Sequence, residues 1–150
     1  REDVEKRHRI LRSLRGQLEH HPAIISARGS PDGQYAELTA DLDPARFERD
    51  SESASLRVTW QPNPQLPPET SLDDRHRTSL TSNFKIHYRE SAGFDCGVHL
   101  EPNHHVDGHL HYQERASLTD EYDYDEVSLA ATAPVGVLWE AFEIIADRLQ

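Results

Sequence analysis

Histidine is the side chain whose ordinary pKa lets it take up and release a proton near neutrality. Seven of the ten histidines in this chain fall between residues 76 and 111. Within that stretch His87, His99, His109 and His111 share one phase of a two-residue alternation with Lys85, Arg89, Asp95, Gly97, Glu101, Gln113 and Arg115. The other phase is apolar: Phe84, Ile86 and Tyr88, then Cys96, Val98 and Leu100, then Leu110 and Tyr112. Successive side chains of a strand point to opposite faces, so burying the apolar phase gathers the histidines and cations on a single surface.

Three readings of that surface stand side by side. In the first, His99, His111 and His87 are acid–base groups for metal-free phosphodiester cleavage, and Lys85, Arg89, Arg115 and His109 hold the phosphate. No cofactor is needed. In the second, His99, His109 and His111 ligate zinc or another transition metal, with Glu101 or Asp107 close by. In the third, histidine is simply a polar residue on a solvated sheet face. His104 and His105 are expected at the rim; His8, His20, His21 and His76 are expected on the surface.

Register follows from keeping the apolar side chains together. A turn at Ser91-Ala92-Gly93 pairs Tyr88 with Cys96, Ile86 with Val98 and Phe84 with Leu100. A loop over Pro102–Gly108 sets Leu100 opposite Leu110 and Val98 opposite Tyr112. The polar face then carries three rows: Lys85–His99–His111, His87–Gly97–Gln113 and Arg89–Asp95–Arg115. Gly97, with no side chain, would leave a dip that can seat a small group such as a phosphate.

The elements that position these rows are also legible. Asp3–His20 has helical spacing, with Val4, Leu11, Leu14 and Leu18 on one stripe, Ile10 beside it, and Lys6, Arg7, Arg9, Arg12 and Arg15 on the other face. Ala23–Ser30 and Gln34–Asp41 flank Pro31-Asp32-Gly33 as a hairpin. Ala54–Trp60 alternates as a strand, residues 61–80 read as a long proline-rich loop, and Asn83–Glu90, Phe94–Glu101 and Gly108–Ala116 as a three-stranded meander. Asp120–Glu126 reads as an acidic connection and Val127–Ala133 as a short strand. Val135–Leu149 is an amphipathic helix opened by Pro134. The expectation is one α+β domain over residues 1–150: a mostly antiparallel sheet with both terminal helices packed on its apolar face.

Composition limits the rest. Acidic residues number 27 against 16 basic ones, for a net charge of −11, and only Lys6 and Lys85 are lysines. An acidic excess with arginine far above lysine is the habit of proteins that work in molar salt. At about 1 M salt the Debye length is only ~3 Å, so this net charge does not forbid an anionic partner. Residues 1–20 carry six basic and four acidic side chains, a basic helix on an acidic body. The lone Cys96 excludes a disulfide framework and a cysteine zinc cage, and its apolar neighbours mark it as core. No apolar run spans a membrane and no secretory leader is seen, so a cytoplasmic location is expected.

The stretch Phe84-Lys85-Ile86-His87-Tyr88, the following hairpin, the segment His104-His105-Val106-Asp107-Gly108-His109 and the closing amphipathic helix resemble the TumE-type toxin family of prokaryotic toxin–antitoxin pairs. The resemblance covers roughly residues 55–150 and points to a halophilic archaeal member. It implies a small toxin acting on RNA, with a cognate helix-turn-helix antitoxin as partner.

Overall fold

The computed structural model describes residues 2–62, 82–101 and 110–150. Helix α1 (Glu2–Glu19) is followed by strands β1 (Ile24–Ser30) and β2 (Glu37–Leu42), a 3₁₀ turn (Pro44–Phe47), and strands β3 (Ala54–Pro62), β4 (Ser82–Glu90), β5 (Asp95–Leu100), β6 (Leu110–Arg115) and β7 (Asp123–Glu126). Helix α2 (Pro134–Leu149) ends the chain. The seven strands form one antiparallel sheet in sequence order, β1-β2-β3-β4-β5-β6-β7. This is the α+β architecture that the alternation implies, with four more strands than the central meander.

Both helices lie on the apolar face. Leu11, Leu14 and Leu18 of α1 are fully buried against β1, β2 and β3, while Val137, Leu138, Ala141 and Ile145 of α2 close over β4 and β5. Each Leu, Val or Ile so withdrawn from water contributes roughly 1.5–3 kcal/mol. Leu56, Val58, Ile86, Cys96, Val98 and Tyr112 supply the sheet's half of this core at 0% exposure. Cys96 is thus the free, buried core cysteine expected, its thiol pushed up to about 12 by burial. Among the described residues no helix is long and apolar enough to cross a membrane.

Helix α1 is also fastened to the first hairpin by polar contacts. The Tyr35 ring folds over Gly29, where a Cβ would strike it, and its hydroxyl accepts a 2.8 Å hydrogen bond from Arg15. His8 Nδ1 accepts the Tyr35 backbone N–H at 2.9 Å. His21 lies against Trp139 and Phe142 of α2, with ring centroids 5.5 and 4.7 Å away, and burial lowers its pKa. His8 and His21 are therefore packing residues, not the surface residues their spacing suggested. His20 is exposed.

Two further expectations are corrected. Residues 123–126 form a strand, and residues 127–133 do not. In the latter segment Val127, Leu129 and Ala131 pack on the core, and Glu140 of α2 accepts the N–H groups of Ala130 and Ala131, which takes the place of a ladder. Gln61 and Pro62 extend β3; the remainder of the proline-rich segment and His76, His104, His105 and His109 lie outside the described residues.

Candidate functional site

The register of the polar face is the one that apolar alternation demands. Lys85 pairs with His99 and His99 with His111; His87 pairs with Gly97 and Gly97 with Gln113; Arg89 pairs with Asp95 and Asp95 with Arg115. Strand β3 adds a row on the other side, setting Ser55, Arg57 and Thr59 beside Arg89, His87 and Lys85. Strand β7 adds Tyr124 beside Gln113. Between these rows runs a groove of about 540 Å³, within the size range of small-molecule clefts.

Its floor is a continuous line of polar contacts. Asp95 is completely buried yet ionised. Burial alone would raise its pKa, but hydrogen bonds from Tyr122, Arg115 and His87 together hold it below the usual range. Tyr122 OH donates to Oδ1 at 2.6 Å, Arg115 Nε to Oδ2 at 2.7 Å, and His87 Nε2 lies 2.6 Å from Oδ1. His87 Nδ1 in turn lies 3.0 Å from His99 Nε2. His99 Nδ1 faces Glu101 Oε1 at 3.5 Å, and Glu101 Oε2 meets Lys85 Nζ at 3.4 Å.

Proton positions along this line follow from chemistry. Burial pushes the His87 imidazole down to about 4, outweighing the hydrogen bond to Asp95, so near neutrality it carries one proton. A carboxylate accepts only, so that proton sits on Nε2, and Nδ1 is left as an acceptor. His99 Nε2 must then be the donor between the two rings. His99 Nδ1 is left facing the Glu101 carboxylate at 3.5 Å, buried and without a hydrogen-bond partner among the described residues. The contact with His99, with the Lys85 ammonium beside it, holds Glu101 below the ordinary carboxylate range, so it is a carboxylate near neutrality. Its side chain is 32% exposed and faces the groove, whereas His99 is 5% exposed.

Gly97 has a different role from the one its missing side chain suggested. A Cβ there would strike His87 Nδ1 and stand 3.0 Å from His99 Nε2. The dip is the space through which the two imidazoles meet, and it is not a free phosphate seat.

The remaining predicted residues divide clearly. His111 is the neighbour of His99, with rings 5.4 Å apart, but it is 0% exposed and its Nε2 is bonded to Gln113 at 3.0 Å. It buttresses His99 and does not open on the groove. Arg115 is turned inward onto Asp95 and lies over the Tyr122 ring at 4.4 Å. Lys85 and Arg89 are exposed on the groove wall. His109 lies outside the described residues, and among those described no three histidine, cysteine or carboxylate side chains are grouped to hold a metal ion.

Several groove residues escaped the sequence reading. Arg57 was visible on the polar phase of its strand, but nothing in the sequence paired that strand with the histidines. It shares its charge with Glu37 through a 2.7 Å hydrogen bond. Tyr122 and Tyr124 were hidden in a run dense with acid, although their alternation with Asp123 and Asp125 is a strand signal. Glu101, by its sequence position, reads only as a neighbour of the candidate metal ligands.

Arg57, Lys85 and Arg89 against Glu101 make the groove wall cationic on a chain of net charge −11. Arg89 forms no ion pair among the described residues, so it is free to meet an anion. The geometry provides a wall bearing Arg57, Lys85 and Arg89, two tyrosine rings at one side, and a buried line of polar side chains ending beside the partly exposed Glu101 carboxylate. Comparison with family models, with curated proteins and with solved structures gave no match.

Proposed function

We propose that this protein is the toxin-like component of a toxin–antitoxin pair and cleaves RNA in the groove with its own side chains as acid and base. The observation that carries this is the hydrogen-bonded line Asp95–His87–His99, with Glu101 3.5 Å from its end, opening onto a cationic wall. Arg57, Lys85 and Arg89 hold the phosphate and offset the charge that builds on it as the 2′-oxygen attacks. Glu101 takes the 2′-hydroxyl proton, backed by His99 Nδ1. The 2′-oxygen bonds to phosphorus, the bond from phosphorus to the 5′-oxygen breaks, and the pair returns the proton to that leaving oxygen. Asp95 and His87 fix the His99 tautomer and orientation; they are positioning residues. Tyr122 and Tyr124 offer faces on which bases stack.

The test is cleavage of unstructured RNA in molar salt with chelator present. Acid–base groups typically contribute ~10²–10⁴-fold, so Glu101→Gln and His99→Gln should each lower the rate at least a hundredfold. His99→Gln should also raise the pH at which the acid limb of the rate profile falls, because Glu101 loses the contact that holds it low. Unchanged rates in both variants sink the proposal. Activity lost on chelation and restored by zinc or another transition metal would favour His99, His109 and His111 as ligands instead. Partner identity is tested by co-purification with a helix-turn-helix protein encoded next to it.

A further inference from the structure

A second hollow, of about 290 Å³, lies at the ends of β3, β4 and β5 and shares Thr59, Lys85 and Glu101 with the groove. Two residues that line it each carry a buried hydrogen-bond donor with no partner among the described residues. Trp60 is 3% exposed and its Nε1–H meets no acceptor among the described residues; Arg7, reaching across from α1, has a buried Nε in the same condition. Buried donors in native proteins almost always have a partner, so two orphans in one hollow mark a place made for an acceptor. The Trp60 ring is stacked on Phe84 at 5.0 Å, with both rings buried, so no base can stack there. What fits is an oxygen with negative charge, within reach of an arginine and bordered by the Asn83 and Gln61 amides. Glu101, the carboxylate on the shared wall, already faces Lys85 and His99.

We propose that this hollow binds the phosphate of a neighbouring nucleotide, so that the substrate is a strand running from the tyrosine side of the groove, past Lys85, to Arg7 and Trp60. The inference rests on the reading of the groove as an RNA site. It recasts the basic helix: Arg7 is a substrate contact, and the helix is more than packing.

The test is the indole N–H resonance of Trp60, identified with the Trp139→Phe variant, during titration with an uncleavable 2′-O-methyl tetraribonucleotide. The Trp60 signal should move with the tetranucleotide and stay in place with a nucleoside monophosphate. Arg7→Gln keeps a good helix former and should shrink the tetranucleotide's advantage in affinity about tenfold. Loss of one phosphate contact should also reduce the slope of log affinity against log salt by about 0.7. A tetranucleotide that binds with Trp60 unmoved overturns the subsite and leaves the groove reading intact. Inorganic phosphate moving the signal equally well overturns the strand and leaves a free-anion site. A tetranucleotide that fails to bind overturns both. The RNA analogue cannot be cleaved, so a failure of the catalytic assignment alone leaves this result untouched.

Discussion

Burial carries the His87 imidazole well below its ordinary range, and the consequence is a dependence of stability on acid. In the folded chain burial holds it at about 4, against 6.5 for an unperturbed imidazole. Between those values the unfolded chain binds a proton that the folded one refuses, so stability rises with pH across this window and falls on acidification. Going from pH 7 to pH 5 should cost about 2 kcal/mol from this group, read from denaturant midpoints. His87→Gln should flatten that part of the curve, and equal slopes in both proteins would show that the imidazole is not the cause. Asp95 acts in the same direction at lower pH, since its folded pKa is depressed and its stabilisation is lost as the carboxylate protonates. Gly97 shows how little of this was legible residue by residue. The glycine was visible in its row, but whether its vacant space held a ligand or the contact of two imidazoles depends on ring orientation, which no spacing encodes.

At the scale of elements, what could be read was what a single period decides. The β4–β5–β6 register followed from keeping Phe84, Val98 and Tyr112 on one face, since a slip of one residue turns every one of them to solvent. Strand β7 was missed because acidic residues usually mark exposed connections, whereas here Asp123 and Asp125 alternate with tyrosines that face the groove. The polar face of α1 also needed the structure to sort it. Arg15 donates to the Ala27 carbonyl and the Tyr35 hydroxyl, which makes it a fastening of the hairpin, while Arg9 and Arg12 stay exposed. Reversing Arg9 and Arg12 to Glu should leave the thermal midpoint within a few degrees, as surface changes usually fall within about ±0.5 kcal/mol. RNA or antitoxin affinity should drop in the same variant. Arg15→Glu should instead lower the midpoint distinctly. Loss of folding in the double reversal, with Arg15 intact, would contradict this division of labour.

For the molecule as a whole, charge and topology set the terms. A net charge of −11 repels itself in dilute buffer, so the chain should lose its circular-dichroism signature of tertiary structure below about 0.1 M salt and regain it in molar potassium chloride. Full folding at both extremes would show that the acidic surface costs nothing at low salt. The cationic groove is an exception on that surface, and at high salt it acts only on what has already entered it. The strand order has a consequence of another kind. Every strand pairs with its neighbours in sequence, so no pairing waits on a distant segment and the sheet can be laid down strand by strand as the chain is made. Strands β1 to β3, with α1 over them, can form first. The line from Asp95 to Glu101 and its Arg115 and Tyr122 supports all come from residues 87–122, so it is assembled late. A chain interrupted during synthesis before Tyr122 would hold a partial sheet without the finished line, and under the proposed RNA-cleaving function this would keep half-made copies harmless to the ribosomes that bear them.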